Sequence, residues 1–110
     1  MSSQQPGHYL RLKARHPAYF AAVEKLGEAV HHAGPLDART LHLVQLSAAA
    51  AIRSEGAVHS HVRRALSAGA TAEDIRHALI AITSTIGFPN VLAALSWSGD
   101  VLEKQDTGIT

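Results

Sequence analysis

The chain has 110 residues, enough for one domain with its own hydrophobic core and too few for a second domain. Apolar residues make up 46% of it and aromatic residues only 5%, so we expect a folded core built from closely packed, alanine-lined surfaces. Ten Lys and Arg against nine Asp and Glu give a formal net charge of +1, without the clustered basic excess that nucleic acid or an anionic membrane requires.

The absence of cysteine excludes disulfides, thiolate metal sites, iron–sulfur clusters and all thiol redox chemistry. The first residues lack the apolar stretch of a signal peptide, and no apolar run approaches membrane length. We therefore expect a soluble, cytoplasmic protein that binds neither nucleic acid nor membrane. Eight histidines are the unusual feature of the composition.

Helical periodicity, interrupted by Gly and Pro, predicts an all-α domain of five helices with short loops. No segment alternates with a period of two. The helices are, in chain order, one from Pro17 to Gly34-Pro35, one over about 38–53 behind an Asp37 N-cap, one over 55–67, one from the capping box Thr71-Ala-Glu-Asp74 to Gly87, and one beginning at Pro89.

These elements predict a helical domain over 16–104, preceded by an N-terminal arm at 1–15 and followed by a frayed tail at 105–110. Helices this rich in alanine leave apolar surface that a single layer of helices cannot cover. We therefore expect a homo-oligomer that assembles through Ala-rich helix faces.

The third helix carries two histidines that point in different directions. His61 lies on its apolar stripe, whereas His59 lies about 160° away around the helix. The two cannot ligate one metal ion from a single helix, because that needs a spacing of three or four residues. Glu55 and His59 have that spacing and are expected to form a surface pair. His61 is either a general acid/base or a core histidine that only bonds a neighbouring helix.

The second helix adds a polar seam of Arg39, His42 and Gln45 to an otherwise apolar segment. Such groups must find partners, because an unpaired buried polar group costs about 1–3 kcal/mol. They either line a small pocket with His61 or satisfy one another at a subunit interface. Arg64 belongs to a basic edge that either holds a carboxylate or stays solvated.

Three stretches together resemble the carboxymuconolactone decarboxylase family, which also contains the alkylhydroperoxidase D-type peroxidases. They read Leu-Asp-Ala-Arg-Thr-Leu at 36–41, His-Val-Arg-Arg-Ala-Leu-Ser-Ala-Gly-Ala-Thr-Ala-Glu-Asp-Ile at 61–75 and Gly-Phe-Pro at 87–89. The likeness covers about residues 16–104. It implies an alkylhydroperoxidase D-like fold in which a central helical hairpin, here the second and third helices, forms the subunit contacts. Homo-trimers or homo-hexamers are usual in the family.

The peroxidase branch of the family carries a Cys-x-x-Cys pair, a histidine four residues later and a glutamate upstream. This chain has Ser54, Ala57, His61 and His42 at those positions. Because both redox cysteines are missing, thiol peroxidase and disulfide reductase activity are excluded.

The decarboxylase branch also lacks the cysteines, and Glu55 and His61 match its acidic residue and its histidine. That branch removes CO₂ from a cyclic lactone acid with no metal or organic cofactor. The resemblance thus implies a lyase with no cofactor and no metal, acting on a small carboxylated or lactone substrate. Its candidate residues are His61, His42 and Glu55 for catalysis, and Arg39, Gln45 and Arg64 for substrate binding.

Two other functions stay open beside this lyase. The first is a non-catalytic oligomeric scaffold or binding protein, which predicts a fully packed His61, whereas the enzyme needs His61 within reach of solvent. The second is a metal site between His42 and His61. It requires ring nitrogens about 3–3.5 Å apart, each about 2.0–2.1 Å from a shared ion.

Overall fold

The computed structural model describes residues 7–107, with side chains to residue 104, and this part of the chain contains helices and no strand. The all-α fold expected from the sequence is confirmed. The helices are α1 (Gly7–Arg15), α2 (Pro17–His31), α3 (Ala38–Ala51), α4 (Glu55–Ser67), α5 (Ala72–Ile80), α6 (Thr83–Ile86) and α7 (Phe88–Thr107).

The described residues contain seven helices instead of the five predicted. One addition is α1, which lies in the segment assigned to the N-terminal arm. The other arises because the predicted fourth helix is broken between Ile80 and Thr83. This stretch is rich in β-branched residues, which lose rotamer freedom in a helix. In addition, the Thr83 hydroxyl donates to the carbonyl of Ile80 at 2.6 Å, a local bond that competes with the helical ladder.

The chain divides into two compact units, Met1–Pro35 and Leu36–Thr110. In the first unit α1 packs against α2 through one aromatic contact. The Tyr9 and Phe20 rings meet edge to face with their centroids 4.8 Å apart, and the Lys13 ammonium lies 5.5 Å from the Phe20 centroid. Phe20 is only 3% exposed, so it is the residue that anchors this helix pair.

The second unit is built around the hairpin of α3 and α4, with α5 and α7 packed against it. Its core contains five buried alanines and six larger aliphatic side chains that have no exposure to solvent, namely Leu46, Val58, Val62, Ile75, Leu79 and Leu102. Such side chains contribute about 1.5–3 kcal/mol each when fully buried. The predicted bounds of α4 are confirmed, and those of α3 are confirmed to within two residues.

The turn between α3 and α4 places an arginine in a conformation that favours glycine. Arg53 has φ +56°, and the N–H groups of Arg53 and Ser54 donate to the carbonyls of Ala50 and Ala49. This is the Schellman pattern, in which glycine usually occupies the left-handed position. The guanidinium of Arg53 bonds the side chain of Asn90 and lies 5.7 Å from the ring centroid of Trp97. These two contacts join the turn to α7.

Across residues 7–107, none of the helices combines the length and the hydropathy needed to cross a bilayer.

Candidate functional site

His42 and His61 face each other across the α3–α4 hairpin. Their Nδ1 atoms are 3.4 Å apart, and the two rings are tilted by 36° with centroids 5.7 Å apart. His42 is 8% exposed and His61 is half-buried. Both ends of this contact are sequence candidates, and the structure brings them together.

The distance between the Nδ1 atoms couples the protonation of the two rings. A bond between two ring nitrogens needs one donor and one acceptor, so a single proton lies between them. When His42 donates, neutral His61 carries its own proton on Nε2 and can act as an acid. When His61 donates, its Nε2 carries a lone pair and can act as a base. The pair can therefore give or take a proton through His61 while the hydrogen bond is kept.

Gln45 lies one helical turn after His42 on α3, and its side-chain oxygen is buried. Within residues 7–104 this Oε1 atom accepts no hydrogen bond. A buried acceptor without a donor costs about 1–3 kcal/mol. A ligand, an ion or a water molecule that supplies a donor or a positive charge would remove this cost.

Arg39 is the first residue of the same polar seam, on the first turn of α3, and its guanidinium points towards α5. Its Nη1 lies 3.9 Å from Oδ2 of Asp74, and both side chains are substantially exposed. The carboxylate of Asp74 accepts the backbone N–H of Thr71 in the capping box. Hydrogen bonds from the Thr71 backbone and hydroxyl lower the pKa of Asp74, and the charge of Arg39 lowers it further.

Arg64 is exposed on α4 and forms no ion pair within the described side chains. Its guanidinium is therefore solvated in this structure. The two predicted substrate-binding arginines thus lie on different helices, one held by a carboxylate and the other in water.

Glu55 lies on the His59 side of α4. The Glu55 Oε2 and His59 Nε2 atoms are 4.0 Å apart, which confirms the expected surface pair. The same Nε2 atom lies 2.9 Å from Oδ2 of Asp100 on α7. We call Glu55, His59 and Asp100 the carboxylate–histidine cluster.

Asp100 is the residue of this cluster that sequence reasoning missed. It is 41 residues from His59, and only the packing of α7 against α4 brings the two together. Neither the spacing nor the composition of the chain signals such a contact.

The sequence model of the carboxymuconolactone decarboxylase family matches residues 17–99 of the chain. The match includes α2 through α6 and most of α7, and so contains both His42 and His61. No curated protein matches the chain significantly.

Proposed function

We propose that this chain, which belongs to the carboxymuconolactone decarboxylase family, is a cofactor-free lyase that decarboxylates a small carboxylated or lactone substrate. The observation that carries the proposal is the 3.4 Å contact between the Nδ1 atoms of His42 and His61. A half-buried His61 also favours an enzyme over a scaffold, since the scaffold predicts a fully packed ring.

In this reaction His61 is the proton donor and His42 is the group that supports it. The bond between the carboxylate and its carbon breaks, CO₂ leaves, and the electron pair is delocalised onto the lactone carbonyl. His61 then delivers a proton to carbon, so one proton is consumed for each CO₂ released. As His61 gives up the proton on Nε2 it takes the bridging proton from Nδ1 of His42, and His42 takes a proton from solvent on its own Nε2, so both rings end neutral. General acid catalysis of this kind contributes about 10²–10⁴ in rate.

Substrate binding is assigned to the polar seam of α3 and the basic edge of α4. The buried Gln45 oxygen accepts from a donor on the substrate, and Arg39 or Arg64 holds the carboxylate that stays on the product or the lactone oxygens. Glu55, which the family resemblance assigns to catalysis, lies with His59 instead and has no step in this proposal.

A shared metal ion is the second candidate for the same pair of histidines. The separation of 3.4 Å falls in the span of about 3–3.5 Å that two nitrogen ligands of one zinc-like ion require. Metal analysis of chelator-treated and untreated protein, purified without a His tag, separates the candidates. Turnover that survives complete removal of metal supports the cofactor-free reaction, and turnover that needs the ion supports the metal.

We also propose a cytoplasmic homo-oligomer, trimeric or hexameric as the family resemblance implies. Val44 on α3 is 53% exposed and Ile52, directly after the end of α3, is 76% exposed, so both offer apolar surface suited to a second copy. A Val44→Asp and Ile52→Asp double variant is expected to lower the mass measured by light scattering. An unchanged mass would place any subunit contact elsewhere.

The direct test is CO₂ release from 4-carboxymuconolactone by native protein, His61→Ala and His77→Ala. His77 is an exposed histidine on α5 and serves as the matched control. We expect His61→Ala to lose at least about 100-fold in kcat while remaining folded, and His77→Ala to match the native protein. Equal turnover by native protein and His61→Ala would overturn the role of His61, and no turnover by native protein would overturn the reaction with this lactone.

A further inference from the structure

We propose that the carboxylate–histidine cluster of Glu55, His59 and Asp100 is a binding site for a divalent first-row metal ion. One ligand atom from each residue lies within 4.8 Å of the other two. The site is separate from the His42–His61 pair and does not depend on the proposed reaction.

The spacing of the three ligand atoms suits a single ion. Bonds of about 2.0–2.2 Å place two ligand atoms about 3 Å apart when they are at right angles around the ion, and about 4 Å apart when they are opposite. His59 Nε2 lies 2.9 Å from the Asp100 oxygen and 4.0 Å from the Glu55 oxygen. The ligand atoms of Glu55 and Asp100 lie within 4.8 Å of each other, so the exposed carboxylate side chains close the site by turning towards one ion.

Two helices hold the ligands in place. Glu55 and His59 are four residues apart on α4, the spacing that directs two side chains to one ion. Asp100 reaches the same point from α7, which packs along α4. A bound ion would cross-link the two helices and stabilise the folded chain.

The three donor atoms and their exposure indicate which class of metal ion the site would bind. One imidazole and two carboxylates suit Zn²⁺, Mn²⁺, Fe²⁺ or Co²⁺, whereas soft ions prefer the thiolates that this chain lacks. The side chains of Glu55 and Asp100 are 57% and 56% exposed, and that of His59 is 26% exposed. One side of the ion would therefore face solvent and hold water, as in sites with three protein ligands.

The two histidines of α4 are assigned to different sites because they lie about 160° apart around the helix. Loss of metal binding at His59 therefore leaves the contact at His61 in place. The same separation makes variants on the His61 side controls for the metal site.

The test is calorimetric titration of ZnCl₂ into chelator-treated protein without a His tag, in a buffer that does not bind zinc. Native protein, Asp100→Asn and His59→Ala are compared with the controls His77→Ala and His42→Ala. Asp100→Asn keeps the size of the side chain and removes its charge, so it reports on the site even if His59→Ala folds poorly.

We expect one Zn²⁺ per chain in native protein and in both controls, with a higher melting temperature on binding. Binding should weaken at least about tenfold in Asp100→Asn and in His59→Ala. No binding to native protein, or equal binding by native protein and Asp100→Asn, would overturn the proposal. Binding lost in His42→Ala and kept in Asp100→Asn would place the ion at the other pair of histidines.

Discussion

His59 and His61 are two residues apart on α4 and occupy opposite environments. His61 is half-buried and meets the buried imidazole of His42 on α3. His59 lies between the exposed carboxylates of Glu55 and Asp100, the latter on α7. Two histidines of one helix thus have different partners: a ring nitrogen for His61 and carboxylate oxygens for His59.

The difference shows how partners select the chemistry of a histidine. The carboxylate of Asp100 can only accept a hydrogen bond, so it requires a proton on Nε2 of His59. When that proton is removed, the nitrogen and the carboxylate oxygen can both bind one cation. The imidazole of His42 can either donate or accept, so it allows the proton of His61 to move. Proton transfer is therefore expected at His61 and ion binding at His59.

The largest expected effect is on turnover, in a double-mutant cycle of His42→Ala and His61→Ala. If the two rings act as one unit, the double variant is no slower than His61→Ala alone, which itself loses at least about 100-fold. His59→Ala is the matched control and should retain native turnover. Losses from His42→Ala and His61→Ala that multiply would contradict a shared proton.

The free energy of unfolding should also differ between variants on the His61 side and the His59 side of α4, although by less than turnover does. His42→Ala leaves the Nδ1 of His61 without its partner inside the hairpin, and should lower the free energy of unfolding by about 1–3 kcal/mol. His59→Ala breaks an exposed ion pair and should cost about 0–1 kcal/mol. Urea unfolding of both variants measures the difference. A larger loss of unfolding free energy in His59→Ala than in His42→Ala would contradict the expectation that the buried contact contributes more stability than the exposed one.

Gln45→Met tests whether the buried oxygen of Gln45, one turn from His42, binds substrate. Methionine has a similar shape and lacks the buried oxygen that accepts no bond in the described chain, so the variant should be more stable by about 1 kcal/mol. Turnover should fall, because the acceptor for the substrate is lost. Thermal unfolding and the decarboxylation assay check both halves. A variant that is destabilised yet keeps full activity would show that the amide is structural.

The smallest effect concerns Asp74, the carboxylate that holds Arg39 at the start of the seam. Hydrogen bonds from Thr71 lower its pKa below the ordinary value of 3.8, and Arg39 adds to this. Its contribution to stability is therefore complete above about pH 4 and is lost as the pH falls through the lowered pKa. Asp74→Asn should flatten the loss of stability in acid, measured by unfolding at pH 2–5. An unchanged slope would contradict the capping role.

Helix periodicity and capping residues predicted the α3–α4 hairpin, because both are features of the local sequence. Asp37, the predicted cap, begins α3, and Gly69 adopts φ +101° where α4 ends. The polar seam on an apolar helix also predicted that His42 needs a partner, and His61 was one of two alternatives, the other being the seam's own residues at a subunit interface. In contrast, Asp100 and the break after Ile80 depend on long-range packing and on competing hydroxyl bonds, which periodicity does not report.

The most direct measurement of the central claim, that His42 and His61 share one proton, is the ring ¹⁵N NMR spectrum of native protein. We expect one of these two rings to carry its proton on Nδ1 and the other on Nε2, and His59 to carry a proton on Nε2 in the metal-free protein. Native protein in which both His42 and His61 are protonated only on Nε2 would contradict the shared proton and the acid–base function built on it.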